Sequence, residues 1–127
     1  MRKGRGVQLN TGADAASSEW LLFLHVDSRF DDPLALRNGL DKLLSEKRAL
    51  TGGHFSLKFR RSTSEYAFGY YYHEWKARLH RPECLHGDQG MMMRRLTFRT
   101  IGLFRKDLPV MEDTDFAERL RQRGDWV

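Results

Sequence analysis

The sequence contains a single cysteine and no long apolar segment, and these two absences exclude several kinds of protein. Cys84 cannot form an internal disulfide, which favours a reducing, cytoplasmic setting and excludes a zinc site built from several cysteines. The longest apolar run, residues 20–24, is far shorter than the roughly 20 residues that a membrane-spanning helix needs. The basic residues 1–6 have no apolar segment behind them, so we do not expect a secretory signal.

The sequence also lacks internal repeats and low-complexity linkers, which predicts one domain over residues 1–127. A hydrophobic fraction of 40%, including 12% aromatic residues, excludes a disordered chain. The net charge of +5 suits a polyanionic partner but does not identify one. Acidic residues gather at 27–32 and 112–115 within this basic chain, which fits either a solvated charged surface or a site for a metal and phosphates.

Hydrophobic patterning predicts an α/β layered fold with a mostly parallel central sheet. The apolar residues 20–26 read as a strand that is buried on both faces, and residues 49–60 and 91–93 read as two further strands. Leucines at helical spacing follow Asp32, the expected N-cap, and Pro33. The four predicted helices cover residues 10–18, 33–48, 62–79 and 111–123, and a turn is expected at 87–90.

Acidic residues at two element ends are the main candidates for chemistry. Asp27 follows the apolar strand, where ligands of open α/β sheets bind, so it could coordinate a cation or simply cap a turn. His25 lies on the same face by strand alternation. Glu112 and Asp113 open the last helix, where acids are favoured by the helix dipole whether or not one of them acts as a base.

Six segments of the chain carry a specific combination of motifs that extends over nearly its whole length. They are GRGVQLNTG at residues 4–12, WLLFLHVDS at 20–28, GGHF at 52–55, GDQG at 87–90, MEDTD at 111–115 and RLRQRG at 119–124. In this combination the chain resembles the family 2 glycosyltransferases with the GT-A fold. It is most similar to a bacterial subgroup associated with radical-SAM and selenium-related genes.

The resemblance implies a role for each matched residue. Asp27 matches the last aspartate of the DxD-type motif, which binds a divalent cation (Mg or Mn) on the sugar-nucleotide diphosphate, and His25 replaces the first aspartate of that motif. Asp113 matches the general base of the ED motif, and Glu112 is expected to orient the acceptor or the base. Further matches fall near the nucleotide (Arg5, Asn10, Gly12) and on the acceptor side of the site (Gly87, Asp88, Gln89).

The chain also departs from the family pattern. The family begins with an apolar strand and a second strand that ends in the aspartate reading the nucleobase, and neither is found in this sequence. We therefore expect a truncated catalytic domain whose strand at residues 20–26 has an exposed edge. The expected partners are a nucleotide-sugar donor and an unidentified hydroxyl acceptor, and not nucleic acid. Peripheral membrane contact and a homo-oligomer stay open, as do two alternatives: a truncated non-catalytic relative and a small basic polyanion-binding module.

Overall fold

The computed structural model describes residues 4–58, 67–78 and 89–127, which form five helices and four strands. In chain order these are α1 (Arg5–Ala15), β1 (Trp20–Phe23), α2 (Ala35–Ser45), β2 (Thr51–His54), α3 (Ala67–Ala77), β3 (Met91–Arg94), α4 (Arg95–Ile101), α5 (Glu112–Arg123) and β4 (Asp125–Trp126). The predicted α/β class is confirmed.

The four strands form a mixed sheet in the order β1-β3-β2-β4. Strand β3 runs antiparallel to both β1 and β2, with Leu21 opposite Met93 and Gly53 opposite Met92. Only the β2–β4 pairing is parallel. The prediction of a mostly parallel sheet is therefore not confirmed, because two of the three described pairings are antiparallel.

Strand β1 is shorter and less buried than the apolar run suggested. The strand ends at Phe23, and Leu21 is its only buried residue. A turn follows, in which the backbone N–H of Ser28 donates to the carbonyl of His25 at 3.0 Å. Trp20 and Leu22, which share one face of β1, are only partly buried, so full burial on both faces is not observed.

Helices cover both faces of the sheet. Helix α2 packs on the face that carries Met92, while α4 and α5 pack on the face that carries Met91 and Met93. The register explains this division, because neighbouring residues of a strand point to opposite faces. The main core lies on the second face and contains Ala13, Leu21, Met91, Met93, Phe98, Ile101, Phe104, Phe116, Ala117, Leu120 and Trp126.

Four phenylalanines at the centre of this core tie β1 to the last two helices. Phe23, Phe98, Phe104 and Phe116 pack with ring centroids 5.0–5.3 Å apart. Full burial of one such ring stabilises a fold by about 1.5–3 kcal/mol, and favourable ring geometry adds to this. The cluster fixes the end of β1 and the start of α5 relative to each other.

Helix α5 begins and ends close to its predicted bounds. Its apolar residues Phe116, Ala117 and Leu120 share one helical face and are fully buried. Met111, the residue before the helix, has a φ of 64°, a left-handed conformation that is uncommon outside glycine. Helix α2 starts at Ala35 after Leu34, which provides no side-chain cap, so the predicted N-cap at Asp32 with Pro33 as the first helical residue is wrong. Asp32 instead accepts a hydrogen bond from the backbone N–H of Leu34 at 2.8 Å in the turn before the helix.

Other boundaries differ from prediction. Helix α1 starts at Arg5 rather than at residue 10, and β2 covers Thr51–His54 instead of 49–60. Two elements, α4 and β4, were not predicted. The predicted capping box at 62–65 lies outside the described residues. No helix in the described ranges is long and apolar enough to cross a membrane.

Candidate functional site

One guanidinium group connects the two acidic segments that the sequence singled out. Arg5 Nε lies 3.1 Å from Glu112 Oε1, and the Arg5 guanidinium also contacts His25 Nε2. His25 Nδ1 in turn lies 3.9 Å from Asp27 Oδ1. We call these four residues the Arg5 cluster. Asp113 is adjacent to the cluster because it follows Glu112 in the first turn of α5.

Three element ends meet to form the Arg5 cluster. Arg5 is the first residue of α1, His25 and Asp27 lie in the turn after β1, and Glu112 is the first residue of α5. The sheet and the phenylalanine core fix these ends, so residues distant in sequence become neighbours. The structure thus brings the predicted metal and base segments to one place through Arg5, which the sequence had placed only near the nucleotide.

Glu112 is the most unusual carboxylate in this region. Its side chain is only 2% exposed, whereas that of Arg5 is 42% exposed. Although Arg5 Nε lies within ion-pair distance of Glu112 Oε1, this oxygen has no hydrogen-bond partner among the described residues. A buried carboxylate oxygen without a donor is costly, typically by about 1–3 kcal/mol or more. Such a group marks a place where a ligand could supply the missing donor.

Asp113 is also buried, with 7% of its surface exposed. Its Oδ1 accepts a hydrogen bond from the backbone N–H of Thr114 at 2.8 Å. Asp113 lies in the first turn of α5, at the positive end of the helix dipole. A carboxylate in such a position can accept a proton from a hydroxyl group.

The ring of His25 lies between two charged side chains. Its Nε2 contacts the Arg5 guanidinium, and its Nδ1 lies 3.9 Å from Asp27 Oδ1. Both ring nitrogens of His25 therefore face side chains of the Arg5 cluster.

The side chains of the Arg5 cluster supply only some of the ligands that a divalent cation needs. The Asp27 carboxylate is 84% exposed and can accept a hard cation, whereas His25 Nε2 already contacts the Arg5 guanidinium. Within the described residues, no three His, Cys, Asp or Glu side chains are grouped so that they could hold a metal ion. A cation on Asp27 would have to take most of its ligands from substrate phosphates and water.

Two of the residues expected near the nucleotide have different surroundings. The Asn10 side chain is buried and exchanges two hydrogen bonds with the backbone of Phe104, so its amide is engaged within the fold. Gly12 is exposed on α1, and a Cβ placed there would meet nothing within 4 Å. On the expected acceptor side, Gln89 is 3% exposed, while Gly87 and Asp88 lie outside the described residues.

Sequence reasoning missed the residue that positions the start of α5. Arg119 donates to the carboxylate of Asp115 at 2.9 Å and to the carbonyls of Ile101 and Leu103 at 2.9 and 2.6 Å. These bonds hold α5 against the end of α4. The i,i+4 spacing of Asp115 and Arg119 was a visible signal for their ion pair, but nothing in the sequence indicated the two carbonyl contacts.

A cavity lies apart from the Arg5 cluster. It is a cavity of about 310 Å³ between α2 and β2, lined mostly by apolar groups that include Leu43, Phe55 and Met92. None of the residues predicted for metal binding, proton transfer or nucleotide binding contributes to it. We therefore place the candidate site at the Arg5 cluster, where buried and charged groups converge.

Comparison of the chain with protein-family models, curated proteins and solved structures finds no match.

Proposed function

We propose that this chain is the catalytic, metal-binding part of a cytoplasmic nucleotide-sugar glycosyltransferase of the inverting type. The observation that carries the proposal is that Arg5 contacts both the buried Glu112 and His25, with Asp27 3.9 Å from His25 and Asp113 next to Glu112 in the chain. Transfer of a sugar from a nucleotide diphosphate needs a cation site, a positive group for phosphate and a carboxylate base around one reacting carbon. Each of these groups has a candidate in this arrangement.

Each residue has a distinct task in the proposed reaction. The Arg5 guanidinium binds phosphate oxygens. The Asp27 carboxylate would hold a divalent cation, which would offset the charge of the leaving diphosphate. Asp113 takes the proton from the acceptor hydroxyl while the oxygen of that hydroxyl forms a bond to the sugar carbon. The bond from that carbon to the diphosphate oxygen breaks, and the configuration at the carbon inverts.

The experiment compares two changes on α5. The unchanged protein is incubated with a panel of nucleotide-sugars and hydroxyl compounds, and release of nucleoside diphosphate is measured. Asp113→Asn removes the base without changing the size of the side chain, so we expect a loss of about 10²-fold or more in turnover. Glu118→Gln, an exposed change on the same helix, should retain full activity.

Two outcomes contradict the proposal. Turnover that is unaffected by Asp113→Asn would remove the base from the mechanism. A folded, unchanged protein that binds nucleotide-sugars but never turns any over would instead support a non-catalytic relative. Equal unfolding temperatures for the two variants are the control for folding.

A further inference from the structure

Arg5 and Glu112 form an unequal pair. The carboxylate is almost fully buried, but the guanidinium that accompanies it is nearly half exposed and also contacts His25. The 3.1 Å approach of Nε to Oε1 is an ion-pair contact without an aligned hydrogen bond, which leaves that oxygen without a donor among the described residues. Such a contact holds Arg5 less firmly than a two-pronged hydrogen-bonded pair would.

The end of α1 that carries Arg5 also favours anions. Gly4, which precedes the helix, provides no side-chain cap, and the first turn of α1 contains no acidic residue. The N-terminal end of an 11-residue helix has a partial positive charge and N–H groups directed outward, and phosphate groups commonly bind there. Glu112 is thus an internal anionic partner for the Arg5 guanidinium, which could equally bind a phosphate group.

We propose that Arg5 exchanges partners when an anionic ligand binds. Without ligand the guanidinium contacts Glu112, and with a phosphate-bearing ligand it contacts the phosphate oxygens instead. The exchange removes the ion-pair contact of Glu112, and its buried Oε1, which lacks a donor, accepts a hydrogen bond from a ligand hydroxyl. The inference rests on the proposed function only in taking a diphosphate as the natural anion, and it can be tested without any turnover.

Inorganic pyrophosphate is the probe, and its affinity is measured by isothermal titration calorimetry. If Glu112 competes for Arg5, Glu112→Gln should tighten pyrophosphate binding by roughly 5- to 30-fold, since couplings between sites are commonly of this size. Arg5→Gln should remove most of the binding. In the double variant Arg5→Gln/Glu112→Gln, the gain from the Glu112 change should disappear, because the arginine through which it acts is gone.

A matched control separates partner exchange from a general effect of charge. Asp115→Asn also removes one negative charge from the first turn of α5, but Asp115 is paired with Arg119 and not with Arg5. It should therefore leave pyrophosphate affinity nearly unchanged. Arg5→Lys provides a second test in case Arg5→Gln does not fold. It retains the cation, so Glu112→Gln should still tighten binding in that background.

The competing outcomes are distinct. An equal gain from Glu112→Gln with or without Arg5, or an equal gain from Asp115→Asn, would show a general electrostatic effect and overturn the exchange. Failure of every variant to bind pyrophosphate would overturn it as well. If coupling between Arg5 and Glu112 is found while Asp113→Asn retains turnover, the exchange stands and the proposed catalytic assignment fails.

Discussion

Asn10 and Phe104 are joined by two hydrogen bonds in opposite directions. The Asn10 amide Nδ2 donates to the Phe104 carbonyl at 2.9 Å, and the Phe104 backbone N–H donates to Asn10 Oδ1 at 3.0 Å. Both residues are buried, at 4% and 2% exposed. The pair fastens α1 to the segment that follows α4, and α1 carries Arg5 into the candidate site.

Replacing Asn10 should therefore lower the free energy of unfolding, because its side chain is engaged within the fold. Asn10→Ala leaves a buried N–H and a buried carbonyl without partners, which should reduce the free energy of unfolding by about 2–5 kcal/mol. Urea denaturation followed by circular dichroism measures this. Gln8→Ala, an exposed change on the same helix, is the control and should change stability little. Equal stability of the two variants would contradict the structural role of the Asn10 amide.

Two glycines of α1 should respond in opposite ways to the same substitution. A Cβ at Gly6 would lie 2.9 Å from the backbone carbonyl oxygen of Arg105, so Gly6→Ala should destabilise the protein by about 1–3 kcal/mol. A Cβ at Gly12 would be in open space, so Gly12→Ala should stabilise the helix by about 0.5–1 kcal/mol. Thermal unfolding of both variants tests this. A destabilising Gly12→Ala would indicate a contact that the described residues do not contain.

The sequence predicted the elements with strong local signals. The leucine spacing of α2, and the acidic start and apolar face of α5, led to nearly correct helices, although the predicted N-cap of α2 at Asp32 was wrong. By contrast, α4 follows β3 directly, and the residue before it, Arg94, provides no side-chain cap. Since neither a loop nor a capping residue separates these two elements, the sequence had no local signal for the second helix.

The sequence indicated which residues would form the candidate site, but not which contacts would join them. The acids at Asp27 and at Glu112–Asp113 stood out because they follow or precede strongly patterned elements. The contact between Arg5 and Glu112 joins opposite ends of the chain, and only the packing of α1 and α5 around the common core produces it. The burial of Glu112 without a hydrogen-bond donor also results from tertiary packing, which no local sequence pattern indicates.

Divalent cation binding should be weak in the absence of phosphate and should depend on Asp27. A single exposed carboxylate is a poor cation site, and phosphate oxygens would complete the coordination. Calorimetric titration with manganese, with and without a nucleoside diphosphate, should detect binding only in the second case. Asp27→Asn should abolish that binding, whereas Asp31→Asn, a change at another exposed carboxylate, should not. Tight manganese binding without nucleotide would be evidence against this view.

The pKa of Asp107 should lie below its ordinary value. A hydrogen bond from the Arg105 side chain is the main cause that holds the pKa of Asp107 below its ordinary value of 3.8. A lowered folded-state pKa stabilises the protein above the pKa of the unfolded chain, and this contribution is lost as pH falls through the folded-state value. In Arg105→Gln the pKa should rise towards 3.8, as measured by NMR titration of the carboxyl carbon. Identical titration curves in both proteins would exclude the contact in solution.

The last prediction concerns the edge of β1. This strand pairs only with β3 among the described residues, and the chain that leaves it carries Leu24, which is 38% exposed, and Val26, which is fully exposed. A strand edge that no described strand pairs with, next to exposed apolar side chains, favours pairing with another chain, so we expect concentration-dependent self-association. Val26→Lys should weaken it by roughly tenfold, because a charge at the edge opposes pairing and one apolar side chain is lost.

Sedimentation velocity over a range of protein concentrations measures the effect. Leu44→Lys is the matched control, since Leu44 is also an exposed apolar residue but lies on α2, away from β1. Association that weakens only in Val26→Lys assigns the interface to the β1 edge. Equal weakening by both changes would point to a general loss of apolar surface, and a protein that stays monomeric at every concentration would show that the β1 edge does not pair with a second copy.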